Sequence, residues 1–307
     1  MDRTVEGYLG ALRQALAGQD PALVQDAVYD AEAHLRTALA ETGGTPEAFD
    51  EVVEAYGTPE EVAVSYRDAE SALASTLRRP APSQAPANPV ARFFGVLIDP
   101  AAWGALFYMV LSLVTGVTYF TIVVTGVSLS VGLSVLIIGI PLALLFLAVV
   151  RAVSLVEGRI VEGLLGERMP RRPRTVGVEG SIWERIKGWL SDYRTWTTML
   201  YMGVQLVLGI VYFTVVVTAV AVSAGIAFAP VAQVVTGGPV MMFGGVAYLI
   251  EPWAYPLFVL AGALGFVLLL WVAKGVGLAH AAYAKALLVG RFEQPASAQV
   301  AGQEGTL

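Results

Sequence analysis

The 307-residue chain has no cysteine and only two histidines. Disulfides, thiolate metal sites and cysteine nucleophiles are thereby excluded, and two histidines without a thiol argue against a metal centre. The lack of cysteine leaves the redox compartment open. Charge is also scarce: 14% of residues are charged and 56% hydrophobic, with a mean hydropathy of +0.66, where a soluble domain carries about 25% charged residues. That balance excludes a soluble globule and implies an integral membrane protein. No basic stretch leads into an apolar one at the N-terminus, so no cleavable signal peptide is expected and the first span directs insertion. No Ser/His/Asp set, phosphate loop or dinucleotide glycine motif stands in a strand-helix context. An enzyme reading and a cofactor therefore have no residues to carry them.

The chain does contain a repeat. Residues 92–132 return, without a gap, as 185–225, and 19 of the 41 positions are identical. Among them are Asp99/Asp192, Trp103/Trp196, Tyr108/Tyr201, Gly116/Gly209, the YFT triplets at Tyr119 and Tyr212, and Thr125/Thr218. Shared apolar composition does not produce so many identities, so this is an internal duplication. Each copy contains an uncharged apolar run of about 20 residues or more, the length of a membrane span.

Residues 1–70 differ in kind. They hold 15 acidic and 4 basic side chains, a net −11, so that the rest of the chain, within a total of −6, carries +5. Such an acidic segment is repelled by phosphate backbones and anionic headgroups, and direct nucleic-acid binding is not expected. Helical spacing sets Val5, Tyr8, Leu9, Leu12 and Leu16 on one face, then Leu23, Ala27, Val28, Ala31, Leu35 and Leu39 on a second. Two Thr-Pro-Glu start signals follow, at Thr45 and Thr58, the latter with Glu61 placed for a reciprocal capping box. The reading is four short helices over 1–72. LGALRQAL, DAEAHLRTAL and the closing AYGTPEEVAVSY resemble the HAAS/DUF1700-type helical signalling domain. That resemblance implies a cytoplasmic module of bacterial membrane proteins, often encoded beside PadR-like transcription regulators. Tyr56, Glu60, Glu61 and Tyr66 are its candidate partner surface.

A Pro/Ala-rich linker covers 73–91. The four-span membrane unit follows over 92–292, with repeats at 92–166 and 185–290, and a disordered tail over 293–307. Short amphipathic pieces before spans one and three, the second containing Trp183, Ile186, Trp189 and Leu190, read as in-plane interfacial helices. The spans are expected at about 103–127, 133–156, 196–224 and 254–281. The return spans echo one another from Arg151/Lys274 to the LLG at Leu164 and the LLVG at Leu287. Lys and Arg concentrate before span one, between spans two and three and after span four, and are missing from 128–132 and 226–253. The positive-inside rule then places both termini in the cytoplasm. Two spans per repeat give parallel units related by an axis along the membrane normal, which weakens a transporter reading. The expected architecture is all-α: a small cytoplasmic helical domain plus a four-transmembrane-helix bundle of two parallel two-span repeats.

GxxYFT at Gly116 and Gly209, Gly139-Ile140-Pro141 and Leu164-Leu165-Gly166 resemble the bacterial four-span sensor domain that precedes two-component histidine kinases in actinobacteria. Only 15 residues follow Phe292 in this sequence, too few for a kinase, so the output is expected through the N-terminal domain or another protein.

Individual residues carry competing readings. Arg151, Glu157, Lys274 and His280 lie toward the expected cytoplasmic span ends, where snorkelling explains them; His280 has a second reading as a proton sensor. His34 reads as a solvated or capping side chain. Thr118, Thr121 and Thr125, with Thr214 and Thr218, form a polar stripe beside Tyr119 and Tyr212. The stripe reads as interhelical hydrogen bonding or as the lining of a ligand pocket between repeats. The apolar outer stretch 226–253, with Met242, Phe243 and Glu251, reads as a lid or as a signal-receiving surface on the outer leaflet. The leading expectation is a bacterial cytoplasmic-membrane sensor acting on a cytosolic partner such as a PadR-like regulator. Alternatives are a membrane-anchored assembly protein that forms a homo-oligomer, and a small transporter subunit.

Overall fold

The computed structural model describes residues 4–43, 45–77, 88–133, 139–171 and 191–289. Four helices open it: α1 (Val5–Ala15), α2 (Pro21–Thr42), α3 (Pro46–Tyr56) and α4 (Pro59–Leu77). Each begins where a side-chain oxygen takes up a free backbone N–H: Thr4 from Gly7, Asp20 from Ala22, Thr45 from Ala48 and Thr58 from Glu61. Glu61 returns the bond to the Thr58 N–H at 2.8 Å, completing a capping box. The apolar stripes meet in one core of Tyr8, Leu12, Leu16, Leu23, Ala27, Leu35, Phe49, Val52 and Val62. The Tyr8 hydroxyl donates to the Gly57 carbonyl at 2.8 Å, fastening α1 to the turn between α3 and α4.

After a short helix α5 (Pro89–Phe94) and a 3₁₀ turn (Gly95–Ile98) come four long apolar helices: α6 (Pro100–Gly132), α7 (Gly139–Leu165), α8 (Tyr193–Thr236) and α9 (Tyr255–Ala284), the last continued by a π-helical turn, Lys285–Val289. All four are long and apolar enough to cross a membrane. Asp99 caps α6 and Asp192 caps α8, each accepting from the N–H two residues on. The amphipathic piece before span one is α5 with its 3₁₀ turn. The corresponding piece with Trp183, Ile186, Trp189 and Leu190 lies outside the described residues, as does most of the linker expected over 73–91.

Glycines set the helix approaches. A Cβ on Gly116 would collide with the backbone of Gln205 and Leu206, and one on Gly209 with the backbone of Ser112 and Leu113, so α6 and α8 touch backbone to backbone. Gly104 admits the Leu164 backbone of α7 to α6 in the same way, Gly126 makes room for the Phe146 ring of α7, and Gly262 admits α9 to Ser223 and Ala227 of α8. The ion pairs Lys274 to Asp99, 2.8 Å, and Arg151 to Asp192, 3.8 Å, tie α9 to the start of α6 and α7 to the start of α8.

The helices run beyond the expected spans: α8 continues past 224 through Pro230 to Thr236, with Gly262 of α9 packed on Ser223 and Ala227 along this stretch. Helix α7 likewise continues past 156 to Leu165, through Glu157 and an Arg159–Glu162 pair at 2.7 Å. The outer stretch holds an antiparallel hairpin, β1 (Met241–Phe243) with β2 (Val246–Tyr248), the one strand pair among the described residues. Gly244 and Gly245 turn it at φ +58 and +82, as a tight hairpin requires.

Candidate functional site

Two places gather chemistry. The first lies inside the helix bundle. Glu157 on α7 is 1% exposed, as is His280 on α9. The snorkelling reading of these two side chains is therefore wrong: α7 and α9 turn them inward, onto tyrosines of α6 and α8. Arg151 and Lys274 differ, being partly exposed and paired with the capping aspartates.

Glu157 Oε1 accepts from the Tyr108 and Tyr201 hydroxyls at 2.7 and 2.6 Å, and Oε2 accepts from Tyr119 at 2.7 Å. Both phenol protons of Tyr108 and Tyr201 are thus committed to one carboxylate oxygen. Their oxygens then act as acceptors, so His280 Nε2, 2.6 Å from Tyr108 and 3.0 Å from Tyr201, is assigned the imidazole proton. Nδ1 is left to face the Tyr212 hydroxyl at 3.3 Å, and Gln205 Nε2 donates to Tyr108 at 3.1 Å. A lone carboxylate in such surroundings is prohibitive, whereas three O–H donors and a nearby imidazole make it tolerable. The cluster joins all four spans at one point.

The tyrosines are the repeated pairs 108/201 and 119/212. Counting six residues on from Arg151/Lys274 sets Glu157 over His280, so the same frame of the duplication held the missing acid and base. Tyr119 and Tyr212, singled out from the sequence, belong to the cluster, whereas Thr125 and Thr218 are exposed and away from it. Thr118 and Thr121 bond back to the Val114 and Val117 carbonyls of their own helix at 2.8 Å, not across an interface. Met242, 73% exposed, stands on the hairpin and Glu251 is exposed beyond it, both remote from the cluster; the Phe243 side chain lies outside the described residues. Gln233 holds this outer region in place, exchanging two hydrogen bonds with the Ile250 backbone at 2.7 and 2.8 Å.

The second place is the seam between the N-terminal helices and the bundle. Asp26 of α2, 6% exposed, pairs with Arg168 at 3.5 Å and accepts the Arg171 backbone N–H at 2.7 Å. Glu70 of α4 closes on the same Arg168, Asp20 takes Lys285 at 2.7 Å, and Gln25 takes Arg194 at 3.4 Å. Burial pushes the Arg168 guanidinium below its ordinary range, against the pull of Asp26. Tyr66 donates to Asp30 at 2.8 Å, and burial together with that carboxylate pushes its hydroxyl up. Tyr56 is half-buried beneath a stacked His34, ring centres 4.4 Å apart, while Glu60 and Glu61 remain exposed at the start of α4.

An all-α chain with four bilayer-length apolar helices and an acidic helical domain seated on the basic residues that flank them is a multi-pass membrane protein. Residues 108–288, more than half of the chain, match the family described as "Putative sensor", and residues 7–64 match HAAS. The chain belongs to that sensor family and carries a HAAS domain ahead of its spans. No curated protein and no solved structure matches it.

Proposed function

We propose that this protein is a bacterial cytoplasmic-membrane sensor that passes a membrane or envelope signal to a cytosolic partner, a PadR-like transcription regulator being the class its HAAS domain resembles a companion of. One observation carries the reading: Asp26 of α2 and Glu70 of α4 are ion-paired to Arg168, which follows α7, Asp20 at the cap of α2 is ion-paired to Lys285 at the end of α9, and Gln25 of α2 is hydrogen-bonded to Arg194 at the start of α8. A shift of those helices has to alter the seat of the HAAS domain. A signal acts only if it stabilises one arrangement over another, and the Glu157 cluster is where the four spans have to rearrange together.

In this proposal the spans form two repeats, α6–α7 and α8–α9. Reciprocal contacts support a two-fold relation: Gly116 and Gly209 each pack on the other copy's backbone, and each capping aspartate pairs with the other copy's return span. The distribution of Lys and Arg supports cytoplasmic termini, with both repeats entering from the same side. The test is capture from the native host with the full-length protein in nanodiscs as bait, against Glu60→Lys. Recovery of a DNA-binding regulator that the variant loses is the expected result. Recovery of nothing but the protein itself favours the assembly reading.

A further inference from the structure

The seam encloses a cleft of about 520 Å³. Asp26, Asp30, Tyr66 and Glu70 line it from the HAAS side, and Arg159, Arg168 and Arg171 from the side of α7 and the segment after it. The two walls carry three carboxylates against three guanidiniums: Arg168 is paired with Asp26 and Glu70 across the cleft, whereas Arg159 and Arg171 are paired with Glu162 on their own side, and each guanidinium is also a ready ligand for another anion. Arg168 has a buried Nε without a hydrogen-bond partner among the described residues, which leaves a donor inside the seam for an incoming oxygen. Arg171 and Arg159 are 44% and 46% exposed at their side chains, so the cleft is open at that wall.

We propose that this cleft is a binding site for the phosphate headgroup of an anionic phospholipid, that the headgroup competes with Asp26 and Glu70 for Arg168, and that Arg171, whose side chain is paired with Glu162 of α7, adds a second guanidinium to the same phosphate. The bilayer is the occupant to which the charge and position point. The arginines follow directly on a membrane helix, α7, and guanidinium binds phosphate through the same paired donors it offers a carboxylate. Basic residues beside a span are drawn to an anionic leaflet, whereas the acidic HAAS domain is repelled by it. Both effects act in one direction: a rising share of anionic lipid takes the arginines and drives the domain off its seat. Partly buried ion pairs of this kind add little net stability, because desolvation offsets their attraction. The seat is therefore reversible, and membrane composition becomes a stimulus that this protein reads. The inference rests on the proposed role of the HAAS domain as the output.

The chain lacks cysteine, so two introduced cysteines are its only labelling sites. Nitroxides at Ala40→Cys and Val156→Cys, both exposed positions, report the seat as a distance in full-length protein reconstituted in nanodiscs. In phosphatidylcholine a single short distance is expected. With increasing phosphatidylglycerol the short distance should lose at least half of its population to a longer, broader one. In Asp26→Asn/Glu70→Gln the longer distance should already dominate in phosphatidylcholine. Arg168→Gln/Arg171→Gln should show one distribution whatever the lipid. A short distance unchanged by phosphatidylglycerol overturns the lipid proposal and leaves the seat intact. Loss of the short distance to free inorganic phosphate in phosphatidylcholine, as readily as to phosphatidylglycerol, assigns the cleft to a soluble anion and overturns it too. A long distance in every bilayer removes the seat itself, and with it the reading proposed above.

Discussion

Glu157 is the residue with most at stake. Replacing it with alanine leaves the Tyr108, Tyr119 and Tyr201 hydroxyls buried without an acceptor, and each orphaned group costs about 1–3 kcal/mol. Glu157→Ala should therefore lower the bundle's stability by about 3 kcal/mol or more, and Glu157→Gln, which keeps one acceptor oxygen, by roughly half as much. Thermal melts of the purified protein check this, and an alanine variant that melts with the wild type would remove the cluster's structural importance. In the HAAS domain the Glu61 carboxyl is held below its ordinary range chiefly by the Thr58 backbone N–H and secondarily by the Thr58 hydroxyl. A depressed carboxyl favours the fold above the ordinary carboxylate range and loses that contribution as pH falls through its folded value. Thr58→Ala removes only the hydroxyl, so the Glu61 titration seen by carboxyl NMR should move part of the way back up. A full return, or no movement, contradicts this division.

Helix approach in the bundle depends on where a glycine sits. Gly116→Leu or Gly209→Leu drives a side chain into the backbone of the facing helix, separating α6 from α8 and pulling Tyr108 away from Tyr201. Gly203→Ala meets nothing within 4 Å and serves as the control; in a helix it should be neutral or stabilise by up to about 1 kcal/mol. Folded yield after detergent extraction separates these outcomes, and equal yields for Gly116→Leu and Gly203→Ala would contradict the close crossing. At the other end of α8, Gln233→Leu should free Ile250 and raise hydrogen exchange from 246 to 254 without altering exchange at Tyr108 or Tyr201. The repeat made Gly116 and Gly209 legible as a pair, but not what each packs on, since that depends on how two distant helices meet.

For the whole molecule the quantity to measure is orientation. The absence of cysteine allows single introduced thiols to be labelled against no background. Cysteines at Ser128 and Gly238 should react with an impermeant maleimide on intact cells, and cysteines at Glu61 and Ser71 only after lysis. Labelling of Glu61→Cys from outside would overturn the cytoplasmic placement proposed for the HAAS domain. At this scale the four-helix start signals, the apolar runs and the duplication were all readable, and the helices they imply are present. The full lengths of α7 and α8 exceed the apolar runs legible in the sequence, because packing against α6 and α9 supports a helix beyond the segment that composition assigns to the bilayer. The hairpin from Met241 to Tyr248 is short and exposed, so its apolar residues show no buried face to read, and Gly244-Gly245 alone marks its turn.

Sequence alone determined what depends on near neighbours. Caps at Thr45, Thr58, Asp99 and Asp192 act within a helical turn, and apolar length commits a segment to the bilayer whatever else surrounds it. Tertiary structure alone decided which polar groups meet. Tyr119 reaches Glu157 across 38 residues and Tyr108 reaches His280 across 172, while Asp26 reaches Arg168 across 142. A side chain near a span end can snorkel to water or turn inward at equal sequence distance. Burial of Glu157 and His280 became tolerable only once the hydroxyls of Tyr108, Tyr119, Tyr201 and Tyr212 were brought to them, with the Gln205 amide on Tyr108 behind.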